Sequence, residues 1–269
     1  MDNKLNIKFN KNFGQNFIFD LNLLKAIVND AGVTNNTCVL EIGTGAATLT
    51  KQIGEVAKKV ISYEIDESLK PHIEQNLQGL NNVNVVFKDV MKESIEAIEA
   101  NFSDDYIMVA NLPYYITTPI IFKFLETATK LKTMVIMVQK EVAERLCAKP
   151  NTAEYGAITA VINAVADTKI TRIVKRNMFI PAPNVDSAVV RIDFNKNKFK
   201  VNSFENLSKL IKCAFHMRRK TLVNNLKSTF NLPKEKVENA FNKLNISLTA
   251  RGETLSSEQF VLLSNLLFD

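Results

Sequence analysis

The chain has 269 residues and carries 34 Lys and Arg against 28 Asp and Glu, a net charge of +6, with 46% hydrophobic and 23% charged residues. This composition supports a full apolar core and excludes wholesale disorder, and no apolar run approaches the roughly 18–20 residues that a membrane span needs. Three scattered cysteines (Cys38, Cys147, Cys213), never in a C-x-x-C, and two histidines argue against a disulfide scaffold and against a metal site. The first residues form no apolar signal region and the first arginine is Arg145, so no targeting segment is expected and the expected location is the cytoplasm.

Asp20 is placed to cap a helix over Leu21–Ala31, with Leu24, Ile27 and Val28 on one face. Short apolar strands then alternate with helical stretches: Cys38–Ile42, Val60–Glu64, Val83–Phe87, Tyr106–Ala110 and Met134–Val138. Such alternation predicts a parallel sheet covered by helices on both faces. After helices around Glu141–Ala148 and Gly156–Ala166, the strands Lys169–Val174 and Ala188–Phe194 leave no room for a helix between them. They are expected to close the sheet as an antiparallel hairpin. The lysine-rich stretch 195–200 reads as a linker, and beyond it the pattern is helical only. Leu207, Leu210, Ile211, Ala214 and Phe215 form one stripe, Pro233 opens a helix through Leu244, and Ser256 with Gln259 forms a capping box. The predicted organisation is an α/β nucleotide-binding domain over 1–194, a linker at 195–200 and a small α-helical domain over 201–269.

The turn after the first of these strands reads Glu41-Ile42-Gly43-Thr44-Gly45-Ala46-Ala47, where glycines let the backbone approach a ligand at the carboxyl edge of the sheet. Glu64 ends the next strand, 21 positions after Gly43, where a carboxylate can accept both hydroxyls of an adenosine ribose. Thr48 stands in place of the third glycine of the dinucleotide fingerprint. The charge of Glu41 would oppose a pyrophosphate and suit a sulfonium. S-adenosylmethionine is therefore the expected cofactor, with Asp89 placed to accept from the adenine amino group. The fourth strand ends in Asn111-Leu112-Pro113-Tyr114. An amide oxygen on Asn111 and the Leu112 carbonyl suit the two hydrogens of an exocyclic amine, and Tyr114 offers a ring on which a base can stack. Phe179, in the loop Phe179-Ile180-Pro181-Ala182-Pro183-Asn184-Val185-Asp186-Ser187, is the candidate for a second pocket wall. The basicity is local: ten Lys and Arg between Arg191 and Lys227 stand against Asp193 and Glu205 alone, a block suited to phosphates.

Taken together, these segments resemble the ribosomal RNA adenine N6-dimethyltransferases of the KsgA type. The resemblance runs from Lys11-Asn12-Phe13-Gly14-Gln15-Asn16-Phe17 through the glycine turn, Asn111–Tyr114, Gln139-Lys140-Glu141-Val142-Ala143 and the Phe179–Arg191 stretch to Arg218-Arg219-Lys220-Thr221-Leu222. It implies a Rossmann-like class I methyltransferase sheet, mostly parallel with its last strand antiparallel, and a helical C-terminal domain. It further implies N6-dimethylation of two adjacent adenosines in the 3′-terminal hairpin of small-subunit (16S) rRNA within an immature subunit. The enzyme would act as a monomer, without a metal. Carried over, the cofactor contacts would be Asn16, Ile18, Gly43, Glu64, Asp89 and Asn111. Asn111 and Tyr114 would serve the target base and Phe179 would close its pocket; beside these, the residues themselves make the Leu112 carbonyl an expected acceptor and Arg218, Arg219 and Lys220 the expected RNA contacts. Two positions depart from the family. Ile18 replaces leucine, and Ala47 replaces a glycine, with a methyl expected to demand a negative φ and so to change the turn. Alternative readings are the erythromycin-resistance enzymes, which modify large-subunit (23S) rRNA, and a non-catalytic nucleic-acid-binding relative.

Overall fold

The computed structural model describes residues 15–195 and 197–268, so the Lys11–Gly14 part of the motif lies outside the described residues. The chain packs as two compact units. One runs to Ala143 and takes in Lys169–Asp193, and the other joins Glu144–Thr168 to the chain from Phe194 onward. The contiguous boundary expected at 194 thus differs from the packing, because the helix Ala157–Val165 (α7) presents its apolar residues to Phe204–His216 (α8) and Ser257–Phe268 (α11).

In the first unit, the helix Leu21–Ala31 (α1) forms where expected. The Asp20 carboxylate accepts from the Leu23 amide at 2.8 Å, and Gly32, at φ 72°, ends the helix in the left-handed conformation that glycine tolerates best. The strands are Phe17–Ile18 (β1), Cys38–Ile42 (β2), Lys59–Glu64 (β3), Val83–Phe87 (β4), Tyr106–Asn111 (β5), Leu131–Gln139 (β6), Ala166–Val174 (β7), Phe179–Ile180 (β8) and Ser187–Phe194 (β9). Seven of them make one sheet in the order β4-β3-β2-β5-β6-β9-β7. β4, β3, β2, β5 and β6 run parallel, whereas β9 is antiparallel to β6 and lies between it and β7. β2 pairs with β3 on one side and β5 on the other, so the sheet order reverses direction there. Ligands of open α/β sheets bind at the carboxyl ends of strands at such a point. The two-stranded β1-β8 sheet was not anticipated from sequence.

Strand alternation explains the position of Phe179. β8 pairs with β1 so that Ile18 lies opposite Phe179 and Phe17 opposite Ile180. Ile18 and Phe179, each 3% exposed, enter the main apolar cluster with Leu24, Val109, Met137 and Val189. Phe17 turns the other way, onto Ala46, Ala47, Leu69 and Ile73. Phe179 is therefore a core residue here, whereas its motif made it the candidate for a second wall of the base pocket.

Two further expectations are corrected at the turn after β2. Ala47 adopts φ 58°, not a negative φ; its amide donates to the Thr44 carbonyl at 2.9 Å and its own carbonyl accepts from Lys51 to start the helix Thr48–Gly54 (α2). Its buried methyl, worth about 0.8 kcal/mol, offsets part of the roughly 1–2 kcal/mol that a left-handed alanine costs. Glu41, moreover, does not face a ligand. It is fully buried below the turn, with Oε2 accepting from Ser62 Oγ at 2.6 Å and Ser62 Oγ in turn 2.6 Å from Thr44 Oγ1. Thr50 supplies a second neighbouring hydroxyl. Burial, partly countered by the Ser62 and Thr50 hydroxyls, pushes its pKa up to about 8. It is thus mostly protonated at neutral pH, and the charge argument made for it from sequence does not apply.

In the second unit, α8 is followed by Leu222–Phe230 (α9), Lys234–Lys243 (α10) and α11. The capping box forms as expected, with the Ser256 amide donating to Gln259 Oε1 at 2.9 Å and the Gln259 amide to Ser256 Oγ at 3.2 Å. The buried Asn225 side chain donates to the carbonyls of Ala214 and Met217, both at 3.3 Å, and so closes the C-terminal end of α8. Gly252 packs so closely on α8 that a Cβ there would lie 2.6 Å from the Ala214 carbonyl. Among the described residues no helix is long and apolar enough to cross a membrane.

Two measurements check this account. The folded chain holds the Glu41 proton up to about pH 8, whereas an ordinary glutamate loses it near 4.5, so the stability that protonation confers is complete below 4.5 and is lost as pH rises towards 8. Glu41→Gln, which keeps the shape of the neutral carboxyl, should gain on the parent by about 1.4 kcal/mol per pH unit between pH 5.5 and 7.5 in urea unfolding; parallel pH profiles would mean that Glu41 is already ionised. Asn225→Ala strips two carbonyls of their buried donor and should cost about 1–3 kcal/mol in the same assay.

Candidate active site

The carboxyl ends of β2, β3, β4 and β5 open on one cavity. It is lined by the segment Gln15–Ile18, the turn Ile42–Ala46, Tyr63–Ile65, Lys88–Met91 and the loop Asn111–Ile116. Each part is shaped by backbone requirements set in the sequence. Gly43 and Gly45 have φ of 85° and 56°, and a Cβ on Gly45 would lie 2.7 Å from the Phe17 ring. The Gly43 amide donates to the Tyr63 carbonyl at 2.8 Å, which joins the turn to the end of β3.

Glu64, 6% exposed, is the electrostatic centre of this edge. Oε2 accepts from the Gly45 amide at 2.7 Å, and Oε1 accepts from the amides of Ile65 and Asp66, both at 2.8 Å. Burial raises its pKa, while these three backbone donors act to lower it. Oε1 already holds two N–H groups, so Oε2 is the oxygen with the greater remaining capacity to accept. Asp89, half-buried, folds its own loop by accepting the Met91 amide at 2.9 Å. On the opposite side, Gln15 Nε2 donates to Asp66 Oδ2 at 2.7 Å, which ties the amino-terminal segment to the loop after β3.

Asn111 is the last residue of β5. Its Nδ2 donates to the Asn16 carbonyl at 2.9 Å, so its amide group is oriented with Oδ1 as the atom left to accept. Leu112 is buried at 1% exposure, and Tyr114 is half-buried with its hydroxyl 2.9 Å from Ser187 Oγ. Burial raises the Tyr114 pKa, so the phenol stays protonated at neutral pH. Tyr115, next in sequence, is 61% exposed at the cavity mouth.

Eight of the expected residues thus meet at one cavity: Asn16, Ile18, Gly43, Glu64, Asp89, Asn111, Leu112 and Tyr114. Phe179 does not line it. Arg218, Arg219 and Lys220 lie in the second unit, exposed in the turn between α8 and α9. Sequence reasoning did not single out Ile65, Tyr115, the Gln15–Asp66 bond or the Ser187 partner of Tyr114. Ser187 stood at the end of the Phe179–Ser187 motif, but nothing in the motif announced which side chain it meets.

Much of the basic block is held by the fold. Arg191 donates to Asp193 and to the Asp30 carbonyl, and Arg172, outside the block, binds Asp30 in two places at 2.7 and 2.9 Å. Lys198 meets Asp167 and the Ala166 carbonyl, and Lys209 pairs with Glu205. Arg218 Nη2 reaches the Tyr155 carbonyl at 3.5 Å.

The chain is similar to known proteins over almost its whole length. The chain is 44% identical over 268 residues to the ribosomal RNA small subunit methyltransferase A of Clostridium botulinum (strain Okra / Type B1), spanning 99% of this chain and 97% of that one. It is 43% identical to the protein of the same name from Bacillus licheniformis, spanning 98% and 93%. Among solved structures it resembles a dimethyladenosine transferase from Plasmodium falciparum, with a TM-score of 0.80, 27% identity and coverage of 92% and 95%. It also resembles the 23S rRNA methyltransferase ErmE, with a TM-score of 0.71, 25% identity and coverage of 94% and 100%. A family profile described as ribosomal RNA adenine dimethylase matches residues 6–269, and with these identities over almost the whole length the chain belongs to that family.

Proposed function

We propose that this chain transfers methyl groups from S-adenosylmethionine to N6 of two adjacent adenosines, two methyls on each, in the 3′-terminal hairpin of small-subunit (16S) rRNA, acting on a precursor subunit in the cytoplasm. The observation that carries this reading is the orientation of Asn111 by the Asn16 carbonyl, which leaves an amide oxygen free to accept beside the Tyr114 ring and next to a cavity at the switch point of the sheet. The small-subunit assignment draws support from the names of the relatives at 43–44% identity, against 25% for the large-subunit enzyme.

The residues present fit the cofactor. The glycine turn is a cradle that a Cβ would fill, Glu64 Oε2 suits a ribose hydroxyl, and Asp89 suits an adenine amine. Lys88 is the one cation among the described residues that line the cavity, as suits a cationic sulfonium. When bound, S-adenosylmethionine would supply an electrophilic methyl group and keep the electron pair of the broken S–C bond as a neutral thioether. The chain contributes the rest. An exocyclic amine delocalises its lone pair into the ring and is a poor nucleophile until it pyramidalises. In the first transfer Asn111 Oδ1 and the Leu112 carbonyl accept its two hydrogens, and in the second one of them accepts the single hydrogen that remains, which draws the lone pair out of the ring plane while Tyr114 stacks on the base. The amine proton becomes acidic as the new N–C bond forms and leaves to water, so no strong base is required. Arg219 and Lys220, exposed on their turn, contact RNA phosphates.

Labelled methyl transfer to undermethylated small subunits, with naked large-subunit rRNA in parallel, tests the reading. N6,N6-dimethyladenosine in the small-subunit hairpin is expected; label confined to large-subunit rRNA, or RNA binding without any label, would refute it. Asn111→Ala should lower single-turnover transfer by about 100-fold or more while RNA affinity changes by less than about threefold. Arg219→Glu with Lys220→Glu should do the reverse, weakening RNA binding and reducing the slope of log affinity against log salt by about 1.5–2; an unchanged slope would remove that turn from the RNA contact.

A further inference from the structure

The Tyr114 hydroxyl has no task in the transfer just described, yet it is bonded. It lies 2.9 Å from the hydroxyl of Ser187, the first residue of β9, which is completely buried and paired in register with Gln139 at the end of β6. β5, which carries the Tyr114 loop, and β9 are not neighbours in the sheet, for β6 lies between them. The bond therefore bridges over the end of β6 and fastens the loop Asn111–Ile116 to a rigid strand. Without it the ring of a half-buried tyrosine is held by packing alone, and rotation about its first side-chain bond would carry the ring away from the acceptor. A stacking surface contributes to rate only if it already stands at the right height and tilt when the base arrives.

We propose that Ser187 is a positioning residue for the methyl transfer: its buried hydroxyl fixes the Tyr114 ring in the orientation that receives the acceptor adenine. This extends the reading above, since it takes Tyr114 as the platform for that base. Ser187 is not among the residues lining the cavity, so the cofactor does not meet it. The role lies entirely in the second half of the reaction, the presentation of the amine.

The test uses the full chain, undermethylated small subunits and labelled S-adenosylmethionine, with Ser187→Ala, Tyr114→Phe and the double variant. Each single change breaks the same bond from one end, and the net value of one hydrogen bond converts to a loss in kcat of about three- to tenfold. The double variant should be no slower than the slower single one, and KM for S-adenosylmethionine should stay within about twofold of the parent. Tyr114→Ala, which removes the ring itself, should be far slower than any of these. Parent-like kcat in Ser187→Ala or in Tyr114→Phe, multiplicative losses in the double variant, or a loss confined to KM for S-adenosylmethionine would each overturn the proposal. Tyr114→Phe leaves the sheet untouched, so it decides the matter even if the strand tolerates no change at Ser187. A parent enzyme that transfers nothing to small subunits would refute the functional reading; an active parent with unaffected variants would refute only the role of Ser187.

Discussion

Three backbone N–H groups converging on one buried carboxylate hold the carboxyl edge of the sheet together. Glu64 takes the amides of Gly45, Ile65 and Asp66, and so joins the turn after β2 to the loop after β3. The geometry works because Gly45 has no Cβ, which lets Phe17 close over the turn from the amino-terminal segment. Asp66, held through its amide, holds Gln15 in turn through its carboxylate, and Asn16 next to it orients Asn111. One carboxylate thus propagates order from the turn after β2 to the amide of Asn111. Burying a carboxylate is costly, and the three amides act against that cost.

Below that edge lies a second carboxyl group of opposite character. Glu41 is buried among hydroxyls and no amide meets it, so the neutral form prevails and the Glu41–Ser62–Thr44 chain is a structural support beneath the turn. Burial raises the pKa of both glutamates on these adjacent strands; three backbone donors oppose it at Glu64, whereas hydroxyls alone oppose it at Glu41.

The helical unit applies the same economy to its cations. Lys198 and Lys209 are engaged with carboxylates, whereas Arg219 and Lys220 stand exposed on the turn after α8. Asn225 closes the helix at the base of that turn, and Gly252 allows another segment to pack against it. Where the arginines stand is therefore set by neutral residues that never meet a phosphate.

The sequence determined the elements and the chemistry carried by contiguous segments. The α1 helix with its Asp20 cap, the parallel strands, the Ser256–Gln259 box and the residues of the glycine turn and of Asn111–Tyr114 were legible because each depends on periodicity or on neighbours a few positions away. Pairings between distant positions were not. Whether Phe179 faces a ligand or the core was decided by its register against Ile18, since a shift of one residue would exchange the two faces. Ala47 accepts a left-handed backbone because the helix behind it and the cluster around its methyl hold it there, a balance that no local rule contains. The charge on Glu41, the grouping of α7 with the C-terminal helices and the bond from Tyr114 to Ser187 likewise come from groups brought together across the fold. Burial and register are properties of the folded chain, and they decide which of the residues named by a sequence motif reach a ligand.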